Sequence, residues 1–277
     1  MLLEHPGIDL RVEIAACLAD IAAEAPDDVA PSAATLAAVA VDRSDQPVAG
    51  ELIRCFAILA ADRPAVVGDQ TTAITAVLEH RQGYDRHGLR ALARISTRRP
   101  EEVVQAVPVL AEALAANPTE HGRTVLRTFG RLARSDVAVP TLEFVERAVE
   151  LVDHDEAALR RDAISCLGDV ARDDPGAVEP VCTELEGALS DDDADTRAVA
   201  ALAFARVASE NPAVVDPVRT KLLDLLDDDH AHVRANACAA LGYGDVDAAA
   251  ARLTDLTNRD PSPIVRDRAD WALEQRS

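Results

Sequence analysis

The chain has 277 residues, 28 Lys plus Arg against 49 Asp plus Glu, and a formal net charge of −21. Aromatic residues make up 3% of it, while Ala, Leu and Val dominate. This composition argues against a sheet, which favours β-branched and aromatic residues, and for helices packed closely through small side chains. No apolar run reaches membrane-spanning length, so no membrane partner is expected. The N-terminus, MLLEHPGIDL, has no basic region followed by a long apolar stretch, and no signal peptide is visible. The five cysteines are widely spaced and form no Cys-x-x-Cys, which points to a reducing cytoplasm.

A large apolar residue followed by a small one recurs along the chain. The pairs are Leu18-Ala19, Phe56-Ala57, Leu92-Ala93, Phe129-Gly130, Leu167-Gly168, Phe204-Ala205, Leu241-Gly242 and Trp271-Ala272. Their small residues are spaced by 38, 36, 37, 38, 37, 37 and 30. Ile21, Leu59, Ile95, Leu132, Val170 and Val207 follow two residues after the small one. Pro26, Pro64, Pro100, Pro175 and Pro212 follow seven after it. Columns held in register this way predict one unit stacked on copies of itself. The expected fold is an all-α, right-handed solenoid of about seven helical hairpins, one array over residues 1–277.

In chain order, residues 8–25 read as a lone second helix, whose apolar N-terminal edge is a candidate contact surface because solenoids need polar caps. First helices are then expected near 32–41, 66–80, 101–115, 138–152, 177–189, 213–226 and 247–257. Second helices are expected near 47–62, 84–98, 119–134, 156–173, 193–209, 230–242 and 263–275. Pro100, Pro175 and Pro212 should stop second helices. The turns Asp191-Asp192-Asp193 and Asp227-Asp228-Asp229 suit helix capping. Capping explains these aspartates, so no metal site is read into them or into the adjacent His230 and His232. Cys17, Cys55 and Cys166 share one repeat position and read as small buried hydrophobes.

An arginine column also runs through the second helices: Arg86, Arg123, Arg160, Arg197 and Arg234 at steps of 37, then Arg266. Asp191, Asp228 and Asp260 each lie six residues before an arginine of the column, placed to bridge within or between repeats. The stretch DDHAHVRANACAALG (Asp228 to Gly242) and the closing DPSPIVRDRADWALE carry the pattern Asp-x-x-x-x-Val-Arg-x-x-Ala. This pattern resembles a HEAT repeat, and more broadly the short HEAT-like repeats of the phycobilin lyases. The resemblance implies Asp–Arg ladders between repeats and a proline that bends the first helix, for which Pro108, Pro140, Pro180 and Pro217 are placed. It weakens in the first two units, where Ala49 replaces the arginine. It predicts a fold well and a function poorly.

The middle of the chain departs from the acidic background. Arg86, Arg90, Arg94 and Arg98 follow Arg81 and precede Arg99, with Asp85 as the one acid between His80 and Arg99. Arg123, Arg127, Arg131 and Arg134 repeat the pattern, with Glu120 as the one acid from Thr119 to Arg134. At helical spacing the arginines share one side of each helix, opposite Leu89, Leu92 and Ser96 or Leu126, Phe129 and Ala133. In HEAT proteins second helices usually line the concave face, so the resemblance implies a basic patch there. The eight arginines are candidates for binding an anionic partner, an acidic protein segment or a phosphate-bearing ligand, through paired guanidinium donors. The alternatives are charge balance against Glu101, Glu102 or Glu112, and nucleic-acid binding. Residues 1–138 carry 14 cationic against 19 acidic side chains; the rest carry 14 against 30, which reads as a solvating half.

Enzyme readings find little support. The chain has no His-Glu dipeptide, which the iron-dependent hydroxylases built on HEAT repeats use as ligands. It is poor in the aromatics expected of a chromophore cleft. A HEAT-like DNA glycosylase would need aromatics and an acid near its basic face, and the central helices offer only Tyr84 and Phe129, the latter in the core column. The expectation is a non-enzymatic scaffold or adaptor with no cofactor or metal, the alternative being a nucleic-acid-binding protein, glycosylase-like, that uses the arginines. Only Lys221 among the cationic residues is a lysine. That Asp-rich, Lys-poor composition resembles a protein adapted to concentrated salt, as in a halophilic archaeon.

Overall fold

The computed structural model describes residue 3 and residues 7–80, 86–135 and 137–275. Every regular element among the described residues is helical. The helices fall into two compact units, Met1–Thr141 and Leu142–Ser277. Four long second helices organise the first: α1 (Ile8–Glu24), α2 (Pro47–Asp62), α3 (Arg86–Ile95) and α4 (Pro118–Ala133). Four organise the second: α5 (Ala157–Asp173), α6 (Ala194–Ala208), α7 (Ala231–Tyr243) and α8 (Pro263–Glu274). Within each unit, each long helix packs on the next.

The ends of these helices follow from local chemistry. Pro47, Pro118 and Pro263 open α2, α4 and α8, where a missing N–H costs nothing. Asn117 caps α4 by accepting from Glu120 N at 3.2 Å. Asp193 caps α6, its Oδ2 accepting from Thr196 N at 3.0 Å and from the Thr196 hydroxyl at 2.7 Å. The expected start of α3, Tyr84-Asp85, and the preceding Arg81 lie outside the described residues. The helix ends at Ile95, earlier than expected, and its turn carries Arg98.

The recurring large–small pair lies at the seams between long helices. Phe56, Phe129 and Phe204 are at most 1% exposed. Each such burial is worth roughly 1.5–3 kcal/mol. The small member lets the helices approach. A Cβ on Gly242 would fall 2.8 Å from the Ala272 Cβ and 2.9 Å from its Cα.

The first helices differ from expectation, because most are broken. The segment expected at 101–115 is a short helix Pro100–Val103, a 3-10 turn Val104–Ala106 and a helix Val107–Ala116. The segment at 177–189 runs through Pro175–Val178, Glu179–Val181, Cys182–Leu185 and Gly187–Ser190. Prolines explain the breaks: Pro31 and Pro180 sit in 3-10 turns, and Pro108 opens a new helix instead of bending a continuous one. A proline supplies no N–H to the preceding turn and crowds its carbonyl. The helix expected at 138–152 contracts to Phe144–Val149, past Pro140. Pro100 and Pro212 start the next helical segment after the long helix has already turned.

Cys17 corrects another expectation. Cys55, Cys166 and Cys238 are buried, but Cys17 is exposed and Cys182 is half-buried. Among the described residues no second helix packs over the repeat position of Cys17 on α1. Ile8, Leu10 and Ile21 of α1 are also exposed.

Candidate binding surface

Two kinds of arginine project from the second helices. The first builds a ladder in the Leu142–Ser277 unit. Arg197 Nη1 donates to the Asp191 carbonyl at 2.7 Å, inside its own turn, while its Nε reaches Asp228 Oδ2 of the next repeat at 2.8 Å. Arg160 does the same with the His154 carbonyl and Asp191, and Arg234 with the Asp228 carbonyl and Asp260. Arg266 keeps the carbonyl bond, to Asp260 at 2.7 Å. Each aspartate also receives a backbone N–H two residues on, from Asp193, His230 or Ser262 at 2.8 Å. The carboxylate bridge thus runs between repeats and the carbonyl bond within them. Donating hydrogen bonds to Asp191, Asp228 and Asp260 raises the pKa of Arg160, Arg197 and Arg234 against the opposing effect of burial. These arginines are structural.

The second kind lies on α3 and α4, where the sequence places its candidate site. The apolar sides are buried as expected: Leu89, Leu92, Leu126 and Phe129 are at most 1% exposed. Arg86, Arg90 and Arg98 are exposed on α3 and its turn; Arg127 and Arg134 are exposed on α4 and its C-cap. Arg123 is half-buried. Arg94 and Arg131 behave differently from the rest. Both are half-buried, and each donates to a backbone carbonyl of the preceding long helix. Arg94 Nη1 donates to Ala57 O, and Arg131 Nη1 to Ala93 O at 3.3 Å. Their acceptors are the small residues of the repeat, where a close neighbour leaves the carbonyl reachable.

Burial, reinforced by Arg90, lowers the pKa of Arg94; burial, reinforced by Arg134 and Arg127, lowers that of Arg131. The guanidiniums are therefore close enough to repel one another. Arg90 makes no hydrogen bond or ion pair among the described residues. Arg99 engages three carboxylates, its donors meeting Asp69 at 2.8 Å, Glu101 at 3.5 Å and Glu102 at 2.5 Å, while Asp62 partly offsets the lowering at Arg94. Glu101 and Glu102 thus serve Arg99. Tyr84 lies outside the described residues, and Phe129 is core. Among the described residues no group of three His, Cys, Asp or Glu side chains has metal-site geometry.

Geometry of the ladder fits the comparisons with known proteins. Residues 182–274 match the family model for HEAT repeats. The matched stretch holds Arg197, Arg234 and Arg266, with the ladder partners Asp191, Asp228 and Asp260. Among solved structures the chain is similar to an engineered protein, at a TM-score of 0.84 and 22% identity over 99% of this chain and 76% of that one. It is also similar to a designed armadillo repeat protein in complex with the peptide (KR)4, at a TM-score of 0.57 and 18% identity over 69% of this chain and 92% of that one. A further designed armadillo repeat protein gives 0.59 and 19%, over 75% of this chain and 99% of that one. No curated protein matches. These likenesses, with the helical repeats described above, give an all-α solenoid and support the HEAT-repeat family.

Proposed function

We propose that the protein is a non-enzymatic HEAT-repeat scaffold that holds a protein partner through an acidic segment of that partner. The observation that carries this reading is the pairing of α3 and α4. Arg90 and Arg127 are exposed at equivalent repeat positions on two packed helices, above Arg94 and Arg131 that are fixed to backbone carbonyls. Exposed guanidiniums gathered on two packed helices can take an anionic ligand, and their planar donors suit carboxylates. Helical-repeat solenoids offer extended surfaces to peptides, and the designed armadillo protein in complex with (KR)4 is one instance. That peptide is basic; an arginine face selects the opposite charge. In HEAT proteins such a face lies on the concave side, and the same placement is proposed here.

Affinity capture at high salt tests the reading, with wild type against an Arg90→Glu, Arg127→Glu variant and with protein and nucleic acid both measured. Loss of a protein partner in the variant is the expected result. Loss of nucleic acid instead assigns the arginines to phosphate binding, and identical capture by both proteins removes the site. The acidic, Lys-poor surface is proposed to serve a salty cytoplasm, where screening relieves self-repulsion at a net charge of −21.

A further inference from the structure

We propose a second anion-binding site, in the Leu142–Ser277 unit, where a groove across α5–α8 takes carboxylate side chains of an acidic peptide segment. The groove has a volume of about 360 Å³, within the scale of ligand-binding clefts. Arg172 comes from α5, Arg206 from α6 and Arg268 from α8, while α7 contributes Asn236 and Tyr243. None of the residues lining the groove is acidic. This is a local inversion of charge, since residues 139–277 carry 30 acidic side chains against 14 cationic ones.

The three guanidiniums are held by different means. Arg206 Nη1 is fixed by Asp169 Oδ1 at 2.9 Å, which aims the group while its side chain stays 22% exposed. Arg172 pairs with its neighbour Asp173 at 2.9 Å on an exposed rim. Arg268 is exposed, lies over the Trp271 ring at 5.3 Å from its centroid, and makes no ion pair among the described residues. Tyr243 meets the same ring edge-on at 4.8 Å. Asn236 Nδ2 donates to the Ala198 carbonyl at 2.8 Å, which fixes an amide in the floor. Arg206 follows the small residue of its repeat, as Arg94 and Arg131 follow theirs, so the position that anchors the central arginines here serves the groove.

A peptide carboxylate fits this chemistry better than a nucleic-acid backbone. Guanidiniums give paired donors to one carboxylate at a time, and the apolar floor, including Leu202, accepts the methylenes of a glutamate. A long polyanion would have to cross the surrounding acidic surface, whereas a short acidic segment need only reach into the groove. The site does not rest on the arginines of α3 and α4.

Trp271 is the one tryptophan of the chain and lies against Tyr243 and Arg268, so its emission reports on the groove. The test titrates a hexaglutamate peptide into the full chain carrying Arg90→Glu and Arg127→Glu, at low ionic strength. That background removes the central patch and keeps the two sites distinguishable. A saturable change in Trp271 emission is expected, weakened about tenfold or more by Arg268→Gln as a charged partner is lost. Arg172→Gln, from the opposite wall, gives the same weakening and serves if the first variant melts early. The proposal is overturned by a titration that never saturates, by binding unchanged in both glutamine variants, or by a single-stranded oligonucleotide of equal charge competing better than the peptide.

Discussion

Arg234 and Asp260 meet side by side: Nε to Oδ2 at 2.8 Å and Nη2 to Oδ1 at 2.9 Å. The side chains are 11% and 3% exposed, so this pair is shielded from water and bridges successive repeats. Removing one partner leaves the other buried without its counter-charge. Asp260→Ala is expected to destabilise the protein by about 3 kcal/mol. Arg234→Lys should also destabilise it, because a lysine cannot keep two parallel donors on the carboxylate and a third on the Asp228 carbonyl. Glu150→Ala, which removes the exposed partner of Arg147, should cost no more than about 0.5 kcal/mol. Urea unfolding of the three variants checks the order; equal losses for Asp260→Ala and Glu150→Ala would remove the ladder as a source of stability.

The ladder also sets a response to acid. Burial pushes the Asp228 and Asp260 carboxyls up, but Arg197 with the His230 N–H, and Arg234 with the Ser262 N–H, outweigh it, and both stand below the ordinary value. Thr196, with help from Arg161, lowers Asp193. Unfolded aspartates titrate near pH 3.9 on average. Above that value both states are ionised and the stabilisation is complete. As the pH falls below it, the unfolded chain takes up protons first, and stability drops until the native carboxyls protonate too. Unfolding free energy measured between pH 5 and pH 2 should therefore fall steeply in wild type and less steeply in Asp260→Asn. Parallel curves would contradict this account.

The long helices and their order were legible in the sequence because one seam repeats. Phe56, Phe129 and Phe204 are buried and each precedes a small residue, and at that same small position Gly168 and Gly242 each meet an alanine of the next long helix. The first helices were less legible, since the apolar spacing of Val178, Val181 and Leu185 does not reveal that Pro180 breaks the run into short pieces. Cys17 shows the limit of column reading: Cys17, Cys55 and Cys166 share a repeat position, but burial depends on what packs over it, and Cys17 is exposed. Candidate arginines were visible as a charge pattern, yet their division was not. Arg94 and Arg131 differ from Arg90 and Arg127 through backbone carbonyls, and a carbonyl leaves no mark in a sequence. The α5–α8 groove leaves no periodic mark, because its arginines Arg172, Arg206 and Arg268 come from different repeat positions.

Gly242 gives the seam a direct test. A methyl group there would overlap both the Cβ and the Cα of Ala272, with the Trp271 ring 3.3 Å away. Backbone cannot move aside as a side-chain end can, so α7 and α8 must separate. Gly242→Ala should destabilise the protein by about 1–3 kcal/mol despite the better helix propensity of alanine. Gly176→Ala meets only the Asp174 carboxylate, at 3.5 Å, and should be close to neutral. Thermal melting of the two variants separates crowding from propensity, and an equal shift in both would contradict the seam.

Thiol chemistry distinguishes the edge from the interior. Burial pushes the thiols of Cys55 and Cys238 up to about 12 and that of Cys182 up to about 11. The thiolate is the reactive form, so these groups should be inert near neutral pH in the native state. Cys17, exposed on α1, should be the one to react rapidly with an aromatic disulfide reagent. Native labelling followed by peptide mapping should find Cys17 modified first, and all five thiols should react after denaturation. Early modification of Cys55 or Cys238 would contradict their packing.

Charge on the whole chain should make stability depend on salt in a particular direction. A net charge of −21 spreads repulsion over the surface, and that repulsion weakens as the Debye length falls from about 10 Å at 0.1 M to about 3 Å at 1 M. The shielded Arg197–Asp228 and Arg234–Asp260 pairs are screened much less, since the carboxylates are 8% and 3% exposed. The two effects therefore do not cancel, and the melting temperature should rise between 0.1 M and 1 M potassium chloride. A gain of about 1 kcal/mol corresponds to roughly 2–4 °C for a domain of 150–250 residues. Binding of hexaglutamate to the α5–α8 groove should move the opposite way and weaken over the same range, because Arg268 is exposed and its attraction is screened. A melting temperature that falls with salt would mean that exposed ion pairs, not self-repulsion, dominate this surface, and the reading of salt adaptation would be withdrawn.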